Sequence, residues 1–362
     1  MTPSSGSSTG RPTGIPTGIP AGRPTGIPTE ACVGIVGTGS YLPARVVDND
    51  EVGGPAGVGA EWIERKTGIR SRRRAAAGEA TSDLAAHAAV AALEAAGLDP
   101  EELRFLVVAT STPDQPQPAT ACIVQDLIGA RNAAAFDLNA VCSGFVFGLA
   151  TVSRLLGDGG YGLVIGADLY SRIVDPADRR TAVLFGDGAG AAVLGPVPAG
   201  HGVLRTRLVS DGAKRGLIEV PAGGSRLPAS AATLDAGLHH FRMIGRDVRD
   251  YVSEHVPPML AELILAAGLT PSDVDHFVPH QANGLMLADL ADRAGLAEQV
   301  RLTVRDYGNT GAASVPITLD ETVRGVGVHP GQTVLLAAFG GGMSMAAAML
   351  RWSAGMPASR AA

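Results

Sequence analysis

Aromatic residues and cysteines are scarce in this chain of 362 residues. Phe, Trp and Tyr make up 4% of it, whereas Gly occurs 48 times, which favours closely packed helices and tight loops over a β-sandwich. The three cysteines show no CxxC spacing, so we expect no disulfide framework, no metal site and a reducing, cytoplasmic setting. The formal net charge of −6 gives no electrostatic case for binding nucleic acid. No apolar stretch reaches the length that spans a bilayer, so we expect no membrane contact.

The N-terminal segment differs from the rest of the chain in composition. The sequence RPTGIP occurs at residues 11–16 and again at 23–28. Pro and Gly at this density form neither a helix nor a core, so residues 1–31 are predicted to be a disordered tail. An inert extension is the preferred interpretation and a docking segment the alternative, while a signal peptide would need a continuous apolar core. Residues 355–362 are predicted to be a C-terminal tail.

The body of the chain alternates between patterns typical of strands and of helices. Residues 103–109, 133–141 and 161–167 are short apolar runs that predict buried strands. Residues 143–156 place apolar side chains at helical spacing. Continuous apolar strands separated by helices predict an α/β fold whose sheet is covered on both faces.

An internal repeat indicates duplication. Residues 95–107 read AAGLDPEELRFLV and residues 266–278 read AAGLTPSDVDHFV. Both copies would end a helix at Gly, turn at Pro and enter a strand. The simplest account is a duplicated α/β unit, and we place its halves at residues 32–200 and 201–354.

Cys142 lies where a predicted strand ends and a predicted helix begins. The free N–H groups and the dipole of a helix N-terminus favour a thiolate over a thiol. A lone cysteine at such a place is nevertheless more often a small buried hydrophobic residue. The local sequence alone therefore favours a structural role.

Three further segments favour a catalytic role for Cys142 over a structural one. His280, in Pro-His-Gln-Ala-Asn, directly follows the strand of the second repeat, where ligands bind in open α/β sheets. Asn309 lies in a Gly-flanked turn, which by itself would be an ordinary Asn turn. Residues 340–342 are three glycines between apolar strands, where backbone N–H groups can approach a ligand closely.

Together these segments resemble β-ketoacyl-acyl carrier protein synthase III, a condensing enzyme of the thiolase fold, over about residues 33–353. The matching motifs are GTGSYLP, WIERKTGIR, VCSGF, GDGAGAAVL, HQAN, YGNTGAAS and FGGG. The resemblance implies two duplicated βαβαβ halves in a five-layered αβαβα core, and a homodimer. It also implies a catalytic triad of Cys142, His280 and Asn309, with an oxyanion hole formed by the N–H groups of Cys142 and Gly341.

The implied reaction is a decarboxylative Claisen condensation in fatty-acid or polyketide synthesis. Cys142 would take an acyl group from an acyl-CoA. His280 and Asn309 would donate hydrogen bonds to the thioester carbonyl of malonyl-acyl carrier protein as its carboxylate leaves. The CoA thioester would be a substrate, and no further cofactor is implied.

The resemblance also assigns the surroundings of the nucleophile. Trp62 and Arg179 would stack on the adenine of the coenzyme, with Gly245 and Asn283 as further coenzyme contacts. Lys66 and Arg70 would contact the carrier protein. Arg70 begins a basic run with residues 72–74, for which a solvated face and a phosphate or carrier-protein contact are both open interpretations.

Four positions depart from the family pattern. Leu285 stands where a basic residue often faces the acidic carrier protein, and Lys66 stands where Arg is common. Gln117 replaces an aromatic residue of the acyl pocket, which predicts a primer other than acetyl. Gly311 stands where Ser is frequent.

Two other functions remain as alternatives. An acyltransferase on the same scaffold would move the acyl group to an alcohol or amine without decarboxylation. Such an enzyme has no need of a malonyl enolate, so the presence of both His280 and Asn309 favours condensation. A non-catalytic partner that binds acyl carriers would show a degenerate triad, whereas this one is complete.

Overall fold

The computed structural model describes residues 32–353, and both predicted tails lie outside the described residues. The strands are β1 (Cys32–Tyr41), β2 (Arg45–Asp48), β3 (Ser71–Arg74), β4 (Leu103–Ala109), β5 (Ala134–Leu138), β6 (Tyr161–Leu169), β7 (Asp187–Val197), β8 (Gly202–Ser210), β9 (Ile218–Glu219), β10 (Arg242–Met243), β11 (His276–Pro279), β12 (Thr333–Gly340) and β13 (Ser344–Arg351). The helices are α1 (Asn49–Ala56), α2 (Ala60–Thr67), α3 (Thr81–Ala96), α4 (Thr120–Ile128), α5 (Gly144–Leu155), α6 (Ala231–Asp235), α7 (Gly245–Ala266), α8 (Gly284–Arg293), α9 (Val304–Tyr307) and α10 (Ser314–Glu321).

Two mixed sheets dominate the structure. The first has the order β1-β7-β6-β4-β5, and the second has the order β11-β12-β13-β8. β4 pairs in parallel with both β5 and β6, while β7 is antiparallel to both of its neighbours. The predicted boundary at residue 200 falls in the turn between β7 and β8, which belong to different sheets.

Side chains that alternate along the strands divide between separate cores. On β12, Val334, Leu336 and Ala338 pack with α5 and α10 between the two sheets. The intervening residues of the same strand pack with α7 and α8 on the outer face. On the first sheet, α3 and α4 cover the corresponding outer face. Since successive strand residues point to opposite faces, both sheets are buried on both sides, and the layers follow the predicted order αβαβα.

The two copies of the sequence repeat occupy equivalent places. α3 ends before Gly97, passes through a 3-10 turn at Pro100–Glu102 and enters β4. α7 likewise ends before Gly268, turns at Pro271–Asp273 and enters β11. Both glycines adopt the left-handed conformation that ends a helix, with φ of 66° and 74°. The repeat therefore has the same order of helix, turn and strand in both places.

One expectation from the sequence needs correction. The stretch Val141–Asp158, which contains α5, has the length and apolar composition of a membrane-spanning helix. More than half of it is buried inside the protein. Its apolar character is explained by its position between the two sheets, because the buried side chains of α5 pack against both of them.

Candidate active site

A single cavity of about 760 Å³ brings together most of the residues that the sequence singled out. Those that line it are Trp62, Lys66, Cys142, Arg179, Gly245, His280, Asn283 and Asn309. They come from both halves of the chain and are up to 247 residues apart in sequence, between Trp62 and Asn309. Their convergence results from the packing of the two sheets around α5 and α10.

Cys142 is held in a strained turn immediately before α5. Val141, the residue before it, has φ of +50°, which is unfavourable for a β-branched side chain. The Ser143 hydroxyl donates to the Ser344 carbonyl at 3.0 Å, and this bond ties the turn to β13. A Cβ at Gly340 would lie 2.9 Å from the Cys142 nitrogen, so only glycine allows the end of β12 to approach the nucleophile this closely.

The thiol of Cys142 is only 6% exposed, and its protonation state differs from the expectation. Burial, with a smaller contribution from the Asp168 carboxylate, raises the pKa of Cys142 to about 12. The resting residue is therefore a thiol at neutral pH, and the prediction that the helix N-terminus holds it as a thiolate is wrong. The thiol proton has to leave during attack on a thioester.

His280 follows β11 and is almost completely buried. Its backbone N–H donates to the Ala337 carbonyl at 2.7 Å, which continues the pairing of β11 with β12. The ring lies edge-on to Phe339 with the centroids 5.3 Å apart. Burial lowers the pKa of His280 to about 3, so the imidazole is neutral at physiological pH.

His280 Nδ1 lies against Ser314, the last residue of the YGNTGAAS motif, to which the sequence analysis gave no role. The Ser314 hydroxyl lies 2.6 Å from His280 Nδ1 and accepts the Gln281 N–H at 3.2 Å. The hydroxyl has a second lone pair, so its geometry is compatible with donating to Nδ1 or with accepting from it. The condensation that the resemblance implies requires the first arrangement, in which the ring proton resides on Nε2 and faces the developing enolate.

Replacing Ser314 by Ala is expected to slow malonyl decarboxylation about 10-fold and to leave acylation of Cys142 unchanged. Without the hydroxyl, His280 can place its proton on Nδ1 and lose the Nε2 donor, a cost of about 1 kcal/mol or more. The two half-reactions are measured separately, as CO₂ release and as acyl-enzyme mass. Thr318→Val is the matched control, because the Thr318 hydroxyl lies one turn further along α10 and bonds the Ser314 carbonyl. Equal losses in both half-reactions would contradict the assigned tautomer.

Asn309 is held by backbone bonds on both sides. Its N–H donates to the Leu184 carbonyl at 2.8 Å, and its carbonyl accepts the Gly186 N–H at 3.0 Å. The side-chain Oδ1 accepts the Gly311 N–H at 2.9 Å, which leaves the Nδ2 amide group as the donor. Gly186 begins the GDGAGAAVL motif, so this motif supports the position of Asn309.

The predicted coenzyme contacts line the same cavity. Trp62 is on α2, Gly245 begins α7, and Arg179 lies in the loop that precedes β7. Asn283 also caps α8, since its Oδ1 accepts the N–H groups of Leu285 and Met286. Trp62 and Arg179 are thus available for the stacking contact that the resemblance implies.

Three predicted site residues do not line this cavity: Arg70, Gln117 and Gly341. Arg70 forms an ion pair with Glu64 at 2.5 Å. Gln117 is exposed and precedes a cis proline. Gly341 is buried directly behind Gly340, against the Val141 side chain. The predicted roles of these three residues stay predictions.

The basic run after α2 is largely engaged within the protein. The Arg72 side chain is fully buried and donates to Asn49 Oδ1 at 2.9 Å and to the Val183 carbonyl at 2.7 Å. Arg73 donates to the Pro43 carbonyl at 3.0 Å. Arg72 therefore neither belongs to a solvated face nor is free to bind phosphate, and both interpretations are wrong for this residue.

Two family profiles match the chain. The profile for 3-oxoacyl-[acyl-carrier-protein] synthase III matches residues 136–212, which include Cys142. The profile for the C terminal of 3-oxoacyl-[acyl-carrier-protein] synthase III matches residues 264–352, which include His280 and Asn309. The matched regions thus contain all three residues of the predicted triad.

Individual relatives match over most of their length. An acetoacetyl CoA synthase of Streptomyces sp. (strain CL190) is 57% identical over 88% of this chain and 98% of the relative. A beta-ketoacyl-[acyl-carrier-protein] synthase III of Caldanaerobacter subterraneus subsp. tengcongensis is 45% identical over the same shares. The crystal structure of a priming beta-ketosynthase from a polyketide biosynthetic pathway has a TM-score of 0.83 and 35% identity, and covers 92% of this chain and 99% of that one.

Proposed function

Because the chain belongs to the 3-oxoacyl-[acyl-carrier-protein] synthase III family, we propose that Cys142, His280 and Asn309 catalyse its condensation reaction. The fold is the thiolase fold, and the enzyme is an acyltransferase-class ketosynthase of fatty-acid or polyketide biosynthesis. The observation that supports the triad most strongly is one cavity that holds a cysteine, a neutral buried histidine and an asparagine amide.

In the first half-reaction, the Cys142 sulfur attacks the carbonyl carbon of an acyl-CoA. The thioester carbonyl becomes a tetrahedral oxyanion, which the N–H groups of Cys142 and Gly341 stabilise. Collapse of this intermediate breaks the bond to the coenzyme sulfur and leaves an acyl-cysteine. Trp62 and Arg179 hold the adenine during this step, because a flat indole and a guanidinium suit an aromatic, phosphate-bearing group.

In the second half-reaction, a malonyl-thioester occupies the same cavity. Loss of CO₂ moves an electron pair onto its thioester carbonyl, where His280 Nε2–H and Asn309 Nδ2–H donate hydrogen bonds to the developing enolate. The enolate carbon attacks the acyl-cysteine, a carbon–carbon bond forms and the Cys142 thiolate leaves. These steps need thioester substrates alone and no cofactor.

The carrier of the malonyl group has two candidates. Malonyl-acyl carrier protein is the substrate that the family generally uses. Malonyl-CoA is the second candidate, because two cationic side chains at the cavity are paired, Arg249 with Asp250 at 2.8 Å and Arg293 with Asp289 at 2.9 Å. Leu285, 55% exposed, adds no charge. Lys66, Arg179 and Arg180 also line the cavity and keep it net positive, so charge by itself does not separate the two carriers.

Turnover measured with both malonyl carriers tests the function and the carrier in one experiment. We expect CO₂ release and a new carbon–carbon bond with acyl-CoA as primer, with acetyl, branched and aromatic acyl groups compared in parallel. The ratio of kcat/KM for malonyl-CoA to kcat/KM for malonyl-acyl carrier protein decides between the two carriers. Leu285→Arg should raise kcat/KM for the carrier protein roughly 3- to 10-fold at low salt and leave that for malonyl-CoA unchanged.

The possible outcomes separate the candidates. Acyl transfer to an alcohol or amine without CO₂ release would contradict condensation and would show that the enzyme is a simple acyltransferase. Preferential use of malonyl-acyl carrier protein, with strong salt dependence in the unchanged enzyme, would exclude the second candidate. A clear preference for acetyl-CoA would contradict the altered primer predicted from Gln117.

We also propose that the enzyme is a homodimer located in the cytoplasm. β5 is an edge strand of the first sheet, and Phe136 and Leu138 on it are only half-buried in the single chain. Covering this edge with a second copy would protect unpaired backbone groups and apolar side chains, which supports a homodimer. The three cysteines are free, which supports a location in the cytoplasm.

A further inference from the structure

A buried carboxylate that the proposed condensation steps do not use lies near the end of β6. Asp168 is fully buried and accepts five hydrogen bonds of 2.7 to 3.1 Å. Within residues 32–353, no Lys or Arg forms an ion pair with it. A buried carboxylate without a cation is costly unless hydrogen bonds compensate it. The compensating donors are the Thr110 hydroxyl, the Ser111 N–H and hydroxyl, the Thr112 hydroxyl and the Ala312 N–H.

The two oxygens of Asp168 bond different parts of the chain. Oδ1 accepts the four hydrogen bonds from residues 110–112, which directly follow β4. Oδ2 accepts the remaining bond, from the Ala312 N–H at 2.7 Å. An ionised carboxylate has acceptors on both oxygens and can hold both partners at once. Asp168 therefore ties the backbone at Ala312 to the end of β4.

The turn that contains Ala312 also orients the amide of Asn309. The Gly311 N–H donates to Asn309 Oδ1 at 2.9 Å, which leaves Nδ2 as the donor to the enolate. The next N–H along the chain, that of Ala312, donates to Asp168. Two consecutive backbone N–H groups thus bond the Asn309 amide and the Asp168 carboxylate, so the turn cannot shift at one without shifting at the other.

The same turn lies in close contact with β6. A Cβ at Gly166, which shares a strand face with Asp168, would lie 2.3 Å from the Ala312 carbonyl oxygen. Gly311 has φ of +58°, and a Cβ there would lie 2.3 Å from Asp168 Oδ2. Glycine at position 311, where the family often has Ser, is explained by this contact, since a side chain there would displace the carboxylate.

We propose that Asp168 is a positioning residue for condensation, which acts through the Ala312 N–H to hold the Asn309 amide where it donates to the enolate. The proposal rests on the proposed role of Asn309 in the second half-reaction. Asp168 does not line the cavity, so it reaches the reaction only through the turn that carries Asn309.

A small shift of the Asn309 amide should slow one step and leave the others alone. The enolate charge develops only as CO₂ leaves, and a displaced donor stabilises that charge less. Misplacement of a group by about 1 Å can cost on the order of 100-fold in rate. Binding of the malonyl-thioester and the attack of Cys142 on an acyl-thioester do not use this donor. The contribution of Asp168 is therefore confined to decarboxylation.

Asp168→Ala removes both acceptor oxygens and tests this separation. Both kcat and kcat/KM for CO₂ release from a malonyl-thioester should fall on the order of 10- to 100-fold, with KM unchanged. Acylation of Cys142, followed by intact mass, should not slow. Burial and, to a smaller extent, the Asp168 charge raise the pKa of the Cys142 thiol, so loss of this charge does not disfavour the thiolate.

Combination with Asn309→Ala shows whether Asp168 acts through Asn309. Without the amide there is nothing left to position, so adding Asp168→Ala to Asn309→Ala should lower CO₂ release by no more than about twofold. A double variant in which the two losses multiply would overturn the proposal. Full CO₂ release in Asp168→Ala alone, or an equal slowing of acylation, would overturn it as well.

Two further variants separate positioning from a general loss of stability. Asp320→Ala is the matched control, since Asp320 is also buried and accepts the Thr38 and Ser40 hydroxyls at 2.8 and 2.7 Å. It should lose stability and keep its rate of CO₂ release, and a loss equal to that of Asp168→Ala would contradict the proposal. If Asp168→Ala fails to fold, Asp168→Asn takes its place in each comparison with an expected loss of about 3- to 10-fold, because it retains one acceptor oxygen. An unchanged enzyme that releases no CO₂ would instead refute the proposed function.

Discussion

Cys142→Ala is expected to abolish acyl-enzyme formation and to lower condensation on the order of 10⁴-fold or more. The variant removes the sulfur that forms the covalent intermediate, and the remaining groups of the cavity cannot replace a nucleophile. Intact mass after exposure to an acyl-CoA should show no added acyl group. CO₂ release from a malonyl-thioester should persist, because His280 and Asn309 remain in place.

The other cysteines provide the control for this result. Cys122 is exposed, with its sulfur 3.8 Å from the Ala135 carbonyl, and is the thiol most open to non-specific acylation. Cys122→Ala should acylate to full stoichiometry. Full acylation of Cys142→Ala, or its loss in Cys122→Ala, would show that the nucleophile has been assigned to the wrong residue.

His280→Ala is expected to lower CO₂ release on the order of 10² to 10³-fold and to leave acylation of Cys142 intact. The variant removes one of the two donors to the enolate oxygen, and such a donor typically contributes this much to the rate. Asn309→Ala should have an effect of similar size. The two half-reactions are measured separately, by CO₂ release from malonyl-thioester and by acyl-enzyme mass.

The lowered pKa of His280 adds a prediction on pH. The pKa of His280 in the folded protein is about 3, below the usual value of 6.5. The imidazole should therefore stay neutral as pH falls from 7 to 5, and CO₂ release should not decline through loss of this donor. The same shift stabilises the folded protein above pH 6.5, and this contribution is lost as pH falls towards 3, because the unfolded chain binds the proton first. A titration of CO₂ release near pH 6.5 that disappears in His280→Ala would contradict a neutral buried imidazole.

His276 is the matched control for both measurements. It is the first residue of β11, the strand that His280 directly follows, and it is buried. Its ring nitrogens bond Gln332 Oε1 at 3.2 Å and the Arg301 guanidinium at 3.1 to 3.2 Å. His276→Gln should retain full CO₂ release with at most a loss of stability. A comparable loss of CO₂ release in His276→Gln would mean that removal of any buried histidine from this strand disrupts the site.

The local sequence was sufficient to predict strands and connections whose apolar and turn residues are close together along the chain. The strand predicted at residues 103–109 coincides with β4, and the repeat correctly predicted two equivalent connections from helix to strand. The strand predicted at 133–141 is shorter, since β5 ends at Leu138. Val141 to Ser143 form a 3-10 turn there because the backbone must leave the sheet and turn into α5.

The family and the fold class could be predicted from the amino-acid sequence, and so could the proposed triad of Cys142, His280 and Asn309, because motifs and apolar periodicity are properties of neighbouring residues. Tertiary structure decided their chemistry. Burial among distant elements makes Cys142 a resting thiol and His280 a neutral imidazole, and packing places the Ser314 hydroxyl 2.6 Å from His280 Nδ1. These properties depend on desolvation and on contacts between β6, β11, α5 and α10, which only the packed layers bring together.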